Sequence, residues 1–143
     1  MKRVAIYGTV FVLIHLVINL LHGRSHAELQ IDLSSFQLLF VVSVILICPL
    51  LALALLWTSR QRLGLMLLTA SMAGSCLFGL YYHFVLPSPD HVAHVPAGFW
   101  GDLFRMTAVV LALSEALGFI LGWVWLRARA EPFNTTNAYR MAS

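Results

Sequence analysis

Four apolar runs dominate the chain and leave few folds open to it. They are "VAIYGTVFVLIHLVINLL" (4–21), "FQLLFVVSVILICPLLALALLW" (36–57), "LGLMLLTASMAGSCLFGLYYHF" (63–84) and "LFRMTAVVLALSEALGFILGWVWL" (103–126). A bilayer core of about 30 Å takes roughly 20 apolar residues in a helix, and each run meets that length. None has the period-two alternation of a barrel strand, and an open sheet cannot satisfy its backbone in lipid. Composition agrees: 60% of the 143 residues are apolar and 10% charged, against roughly 45–50% and 25% in an average soluble domain. The expected fold is all-α: a polytopic membrane protein with an antiparallel up-down four-helix transmembrane bundle. Residues 1–130 are read as one transmembrane domain and 131–143 as a polar cytoplasmic tail.

The first run follows "MKR", as a signal peptide would. Its apolar stretch is longer than a typical h-region, and "HGRSHAEL" offers no small-residue cleavage site, so it reads as a retained helix. Orientation follows from basic residues in the flanks. Lys2, Arg3, Arg60, Arg62, Arg127, Arg129 and Arg140 lie on one side, and only Arg24 and Arg105 on the other. Both termini are therefore expected in the cytoplasm, with a bacterial inner membrane as the setting. Segments 22–35 and 85–102 then face outward. Trp57, Trp123 and Trp125 fall at the inner interface and Trp100 at the outer one.

The tight "TSRQR" link pairs the second and third spans. Ser71, Ser75 and Gly79 in the third span, and Ser114, Gly118 and Gly122 in the fourth, recur every four residues, a spacing that lets helices approach closely. Pro49 is expected to kink the second span. Cys48 and Cys76 lie within apolar runs and read as buried side chains rather than a disulfide.

The polar residues carry the chemistry. At about 100° per residue, His15, Asn19, His22 and His26 share one face of the first helix, provided it continues past Gly23. Polar groups in a membrane helix face the bundle interior or a wet cavity. His83 ends the third span, and His91 and His94 follow in a loop stiffened by Pro87, Pro89 and Pro96. His22, His26, His83, His91 and His94 thus all fall at the outer end. Imidazole suits Cu, Fe and Zn, so these five are candidate metal ligands, with His22 and His83 favoured and His26, His91 or His94 completing the set. Asp90, Glu28 and Asp102 are candidates to orient the imidazoles from behind. Asp90 is alternatively the N-cap of a short helix that places His91 and His94 on one face. Two axial histidines would equally suit haem b; the absence of Cys-x-x-Cys-His excludes covalent haem attachment. Against a site stands the plain alternative of interfacial histidines bonded to water, headgroups or loop backbone.

Two ionisable groups lie deeper. Counting at 1.5 Å per residue, His15 is about 10 Å below His22, and Glu115 about 18 Å down the fourth helix, an offset of about 7 Å for tilt or water to close. They read either as a proton path through Asn19 to the outer cluster or as a polar network fixing helix register.

Three functions remain open. The first is a small membrane protein holding a transition metal or haem for electron transfer or metal handling. The second is a non-catalytic accessory subunit of a larger membrane complex, with neighbouring subunits or a homo-oligomer as partners besides lipid. The third is a proton-linked or pH-sensing element. A Ser-His-Asp hydrolase lacks a nucleophile elbow, no phosphate loop is present, and the scattered basic residues give no nucleic-acid surface.

Overall fold

The computed structural model describes residues 2–128; the tail at 131–143 lies outside them. The described residues form four long helices and no strand: α1 (Lys2–Glu28), α2 (Ser35–Leu56), α3 (Gln61–Val85) and α4 (Phe99–Ala128). All four are long and apolar enough to cross a membrane. Each begins or ends a few residues beyond the apolar run that announces it.

Local sequence explains several boundaries. Ser34 caps α2 with a reciprocal pair: its Oγ accepts from Gln37 N, and Gln37 Oε1 accepts from Ser34 N. Two otherwise orphaned donors are thereby satisfied. Downstream, Val41–Ile47 winds as a wide π turn, in which Cys48 N donates to Ser43 O. Pro49, fully buried in the next turn, has no N–H to continue the regular ladder. The wide turn just before it is where α2 absorbs that interruption. α3 ends in a second wide turn, Tyr81–Val85, closed by Leu86 N donating to Tyr81 O. That turn carries His83.

α3 packs against α2 and α4, and α1 packs against α4 and α2. A core of Val4, Ala5, Val12, Ala52, Leu56, Leu65, Leu68 and Met72 joins the start of α1, the end of α2 and the first half of α3. Beside it Trp57 Nε1 donates to Thr9 Oγ1 at 3.0 Å. Gly64 is required here, because a Cβ would stand 2.8 Å from Ala52 O and 2.9 Å from Leu56 N. Its absence lets α3 rest on the backbone of α2.

The small-residue stripes divide their roles. Gly122 lies against Thr69, and Gly118 against Phe11 and Met72, as close helix contacts require. Ser71 turns instead toward α2, its Oγ donating to Val44 O at 2.9 Å. Ser75 and Gly79 line a cavity. Cys48 and Cys76 are free thiols, each half-buried rather than fully enclosed.

The connection from α3 to α4 is a series of turns, not the short helix that Asp90 was expected to cap. His91 N donates to Ser88 O and His94 N to His91 O. Pro87, Pro89 and Pro96 limit that backbone to local reversals. Arg105 of α4 holds the connection down: Nε donates to Val92 O at 3.1 Å, Nη2 donates to Val95 O, and Nη1 pairs with Asp102.

Candidate metal centre

Helix α1 runs unbroken through Gly23, so His15, His22 and His26 come onto one buried face, with Asn19 half-buried between them. His83 enters from α3. The His22 and His83 Nε2 atoms stand 3.2 Å apart, and the His26 and His22 Nε2 atoms 3.3 Å apart. One ligand nitrogen from each of the three lies within 4.8 Å of the others. All three residues are buried, with 7–9% of their surface exposed. Phe104, fully buried, backs them with its ring centroid 4.8, 5.0 and 5.3 Å from those of His22, His26 and His83.

Hydrogen bonds at the far side of two rings fix which nitrogen carries the proton. Thr107 Oγ1 donates to Leu103 O at 2.7 Å, the usual use of a threonine hydroxyl inside a helix. It is then left to accept from His22 Nδ1–H at 2.8 Å. His83 Nδ1 lies 3.0 Å from the Asp90 carbonyl, which can only accept. Both Nδ1 atoms are therefore donors, and in the neutral rings both Nε2 atoms are lone pairs. Two lone pairs facing each other at 3.2 Å repel unless a cation lies between them. A proton or a metal ion between them would relieve that repulsion.

The third imidazole weighs on this choice. A proton bridges two nitrogens, whereas a tetrahedral ion gathers several. With metal–nitrogen bonds of about 2.0–2.1 Å, the edge of the tetrahedron is about 3.3 Å. The observed separations of 3.2 and 3.3 Å match that edge. The backing groups also follow the pattern of metal-ligating histidines, whose other nitrogen donates to a carbonyl, carboxylate or hydroxyl.

Asp90 is buried beside the triad. Its Oδ1 lies 3.3 Å from His26 Nε2 and 3.2 Å from His83 Nδ1. Both approaches are misaligned for hydrogen bonding, and Oδ1 has no hydrogen-bond partner among the described residues. It supplies negative charge where three imidazoles would hold a cation.

The other sequence candidates lie apart from this centre. His91 and His94 stack on each other with centroids 5.0 Å apart. His91 Nδ1 accepts from Ala93 N, and His94 Nδ1 approaches Ser88 O. The turn that brings Asp90 inward sends these two rings outward. Glu28 pairs with Arg24, and Asp102, mostly exposed, pairs with Arg105. Among the described residues neither carboxylate meets an imidazole. His26 thus completes the group that His22 and His83 begin.

A haem fits the arrangement poorly. Axial imidazoles approach an iron from opposite faces of a macrocycle, whereas the three Nε2 atoms here converge. The adjoining cavity of about 140 Å³ is below the roughly 300–1,000 Å³ of sites for drug-sized ligands.

Deeper in, His15 Nε2 meets Glu115 Oε1 directly at 3.1 Å, with both side chains buried. The expected offset of about 7 Å is absent, for a reason of register. Thr107 is the α4 residue level with His22. From that pair, His15 is about 10 Å down α1 and Glu115 about 12 Å down α4, nearly the same depth. Asn19 Nδ2 lies 2.9 Å from His15 O and 3.1 Å from His15 Nε2, extending the network.

Thr107 and Phe104 escaped the sequence reading, and Ser75 entered it only as part of a helix-contact stripe. Thr107 and Phe104 sit three apart on the buried face of α4, but a threonine and a phenylalanine in an apolar helix carry no mark of a site. Comparison with known proteins finds no matching family model, curated protein or solved structure.

Proposed function

We propose that this chain is an integral membrane protein that binds a transition-metal ion, copper, iron or zinc, through His22, His26 and His83. The observation that carries the reading is the convergence of three buried histidines whose ligand nitrogens lie within 4.8 Å of one another, with His22 Nδ1 set against Thr107 and His83 Nδ1 against the Asp90 carbonyl. Electron transfer and metal handling are the uses such a site suits.

Membrane insertion is supported by the surface. Leu13, Val17, Leu20, Leu39, Leu77, Leu113 and Leu117 are among many large apolar side chains left exposed. In water such a surface would drive association. An antiparallel arrangement of the four spans is supported by their cross-contacts. Trp57 at the end of α2 meets Thr9 near the start of α1, while His22 late in α1 meets Thr107 early in α4 and His83 at the end of α3. The basic flanks orient both termini to the cytoplasm. Arg127 stacks over Trp123 at 4.7 Å and Arg24 over Trp100 at 5.9 Å, pairings suited to the two interfaces.

The test is elemental analysis and optical spectroscopy of the full chain purified in mild detergent. Stoichiometric metal, lost in His22→Ala and His83→Ala, is the expected result. A chain that neither carries metal nor takes up added zinc or cobalt refutes the reading, and a Soret band would replace it with haem.

A proton-linked role is the second reading, favoured by the buried His15–Glu115 pair. Proton flux in vesicles should then fall in Glu115→Gln; unchanged flux removes it.

A further inference from the structure

The cavity beside the triad continues inward. Its lining includes His22, His26 and His83 together with Ser75, Gly79 and Glu115. Its volume of about 140 Å³ exceeds many times the 10–15 Å³ that one water requires by this measure. Three observations mark it as a place for a polar occupant. Ser75 lines it with a fully buried hydroxyl that has no hydrogen-bond partner among the described residues. Glu115 spends Oε1 on His15 and turns Oε2 toward Gly79. Gly79 itself leaves the passage open: the point where its Cβ would stand is 3.9 Å from Glu115 Oε2 and 3.9 Å from His83 Cδ2. The carboxylate and the ring are therefore at most twice that distance apart, a gap that one or two hydrogen-bonded waters at about 2.8 Å spacing would span.

Three protein ligands leave a tetrahedral ion one position short, and an open fourth position is what separates reactive metal sites from structural ones. We infer that the fourth position of the triad's metal opens onto this chamber and takes a small exchangeable protic ligand, water or a molecule of similar size. The ligand offers a lone pair to the metal, and its hydrogen atoms face Ser75 Oγ and Glu115 Oε2. Glu115 acts as a positioning residue that selects for O–H or N–H groups, and the chamber's size excludes larger ligands. The inference rests on the metal reading above, and it competes with one alternative: that the Asp90 carboxylate swings in to close the shell.

The experiment uses the full chain in detergent with copper(II) as the probe. His91→Ala and His94→Ala are introduced together, so that the stacked outer pair does not compete for the ion. Electron paramagnetic resonance is recorded in ordinary water and in water enriched in the magnetic oxygen isotope, which broadens the copper signal only when a water oxygen is bound. Broadening is expected, together with its loss in Gly79→Val, which fills the passage while copper stays bound. Gly79→Ala, whose methyl would rest at ordinary contact distance, is the milder variant should valine prevent folding, and it should reduce the broadening. A copper signal that survives His22→Ala and His83→Ala removes the metal reading and this inference with it. Triad-bound copper without broadening overturns this inference alone and points to Asp90. Broadening unchanged in both Gly79 variants overturns the chamber as the route.

Discussion

Thr107→Val isolates the step from hydrogen bond to metal affinity. Valine copies the shape of threonine, so no cavity opens; the hydroxyl's bond to Leu103 O is lost as well, but that carbonyl keeps its place in the helix and the loss is the same with or without metal. What disappears is the acceptor for His22 Nδ1–H, 2.8 Å away and buried. In the metal-free chain that is a neutral hydrogen bond of about 1 kcal/mol. When Nε2 holds a cation, the ring becomes a stronger donor and the bond about twice as strong. The difference, about 1–1.5 kcal/mol, is the part that metal binding feels, and 1.4 kcal/mol is about tenfold in affinity. The worked difference gives a loss of about five- to tenfold, at the low end of the roughly 10–100-fold that removing a group behind a metal-bound histidine generally costs. Thr107→Ser keeps the hydroxyl and should stay close to wild type. The assay is competition against a chromophoric chelator in detergent, with the melting temperature followed in parallel to separate folding from binding. Wild-type affinity in Thr107→Val, with His22→Ala abolishing binding, would show that the tautomer is not held from behind and that the lone-pair argument is wrong.

Three further outcomes follow from the packing and the polar network. Protons and metal compete for the same Nε2 lone pairs, so affinity falls as pH is lowered; metal retention through dialysis at progressively lower pH checks the direction, and acid-insensitive retention contradicts it. Glu115→Ala leaves His15 without its partner in a buried setting and should lower stability by about 2–3 kcal/mol. Glu115→Gln keeps an acceptor for His15 and should cost less than about 1 kcal/mol; equal melting losses for the two would dismiss the pair as structurally idle. Gly64→Val forces side-chain atoms into the backbone of α2 and should cost at least about 1–3 kcal/mol, read as a lowered midpoint in detergent unfolding.

The spans and the polar stripe of α1 were legible because both are periodic properties: length of apolar run, and angle around a helix. His22 and His83 as favoured ligands follow from those two facts, while the third stayed open among His26, His91 and His94. What the sequence could not convey is how separate helices are levelled. The His15–Glu115 offset came from counting down α4 from its apolar start, whereas the residue level with His22 is Thr107. Loop direction was equally hidden. "PDHVAH" holds one carboxylate and two imidazoles, and nothing in the string says that Asp90 turns inward while His91 and His94 turn out. That choice is made by Val92 N donating to His83 O and by the grip of Arg105 from α4. Both are tertiary contacts with no local signature.

Arg105 takes hold of that outer connection by its carbonyls, at Val92 and Val95, and not by any side chain. A clasp of this kind is indifferent to spelling. His91, Ala93 and His94 can drift in identity while the chain path over the imidazoles stays put, so long as the arginine remains, Val95 stays packed and Asp90 still tucks beneath. Tolerance should therefore be uneven over a short distance: permissive at His91, Ala93 and His94, strict at Asp90 and Arg105. A saturation library across 88–105, selected for bound metal, would display that contrast as alternating open and closed positions within one turn-rich segment.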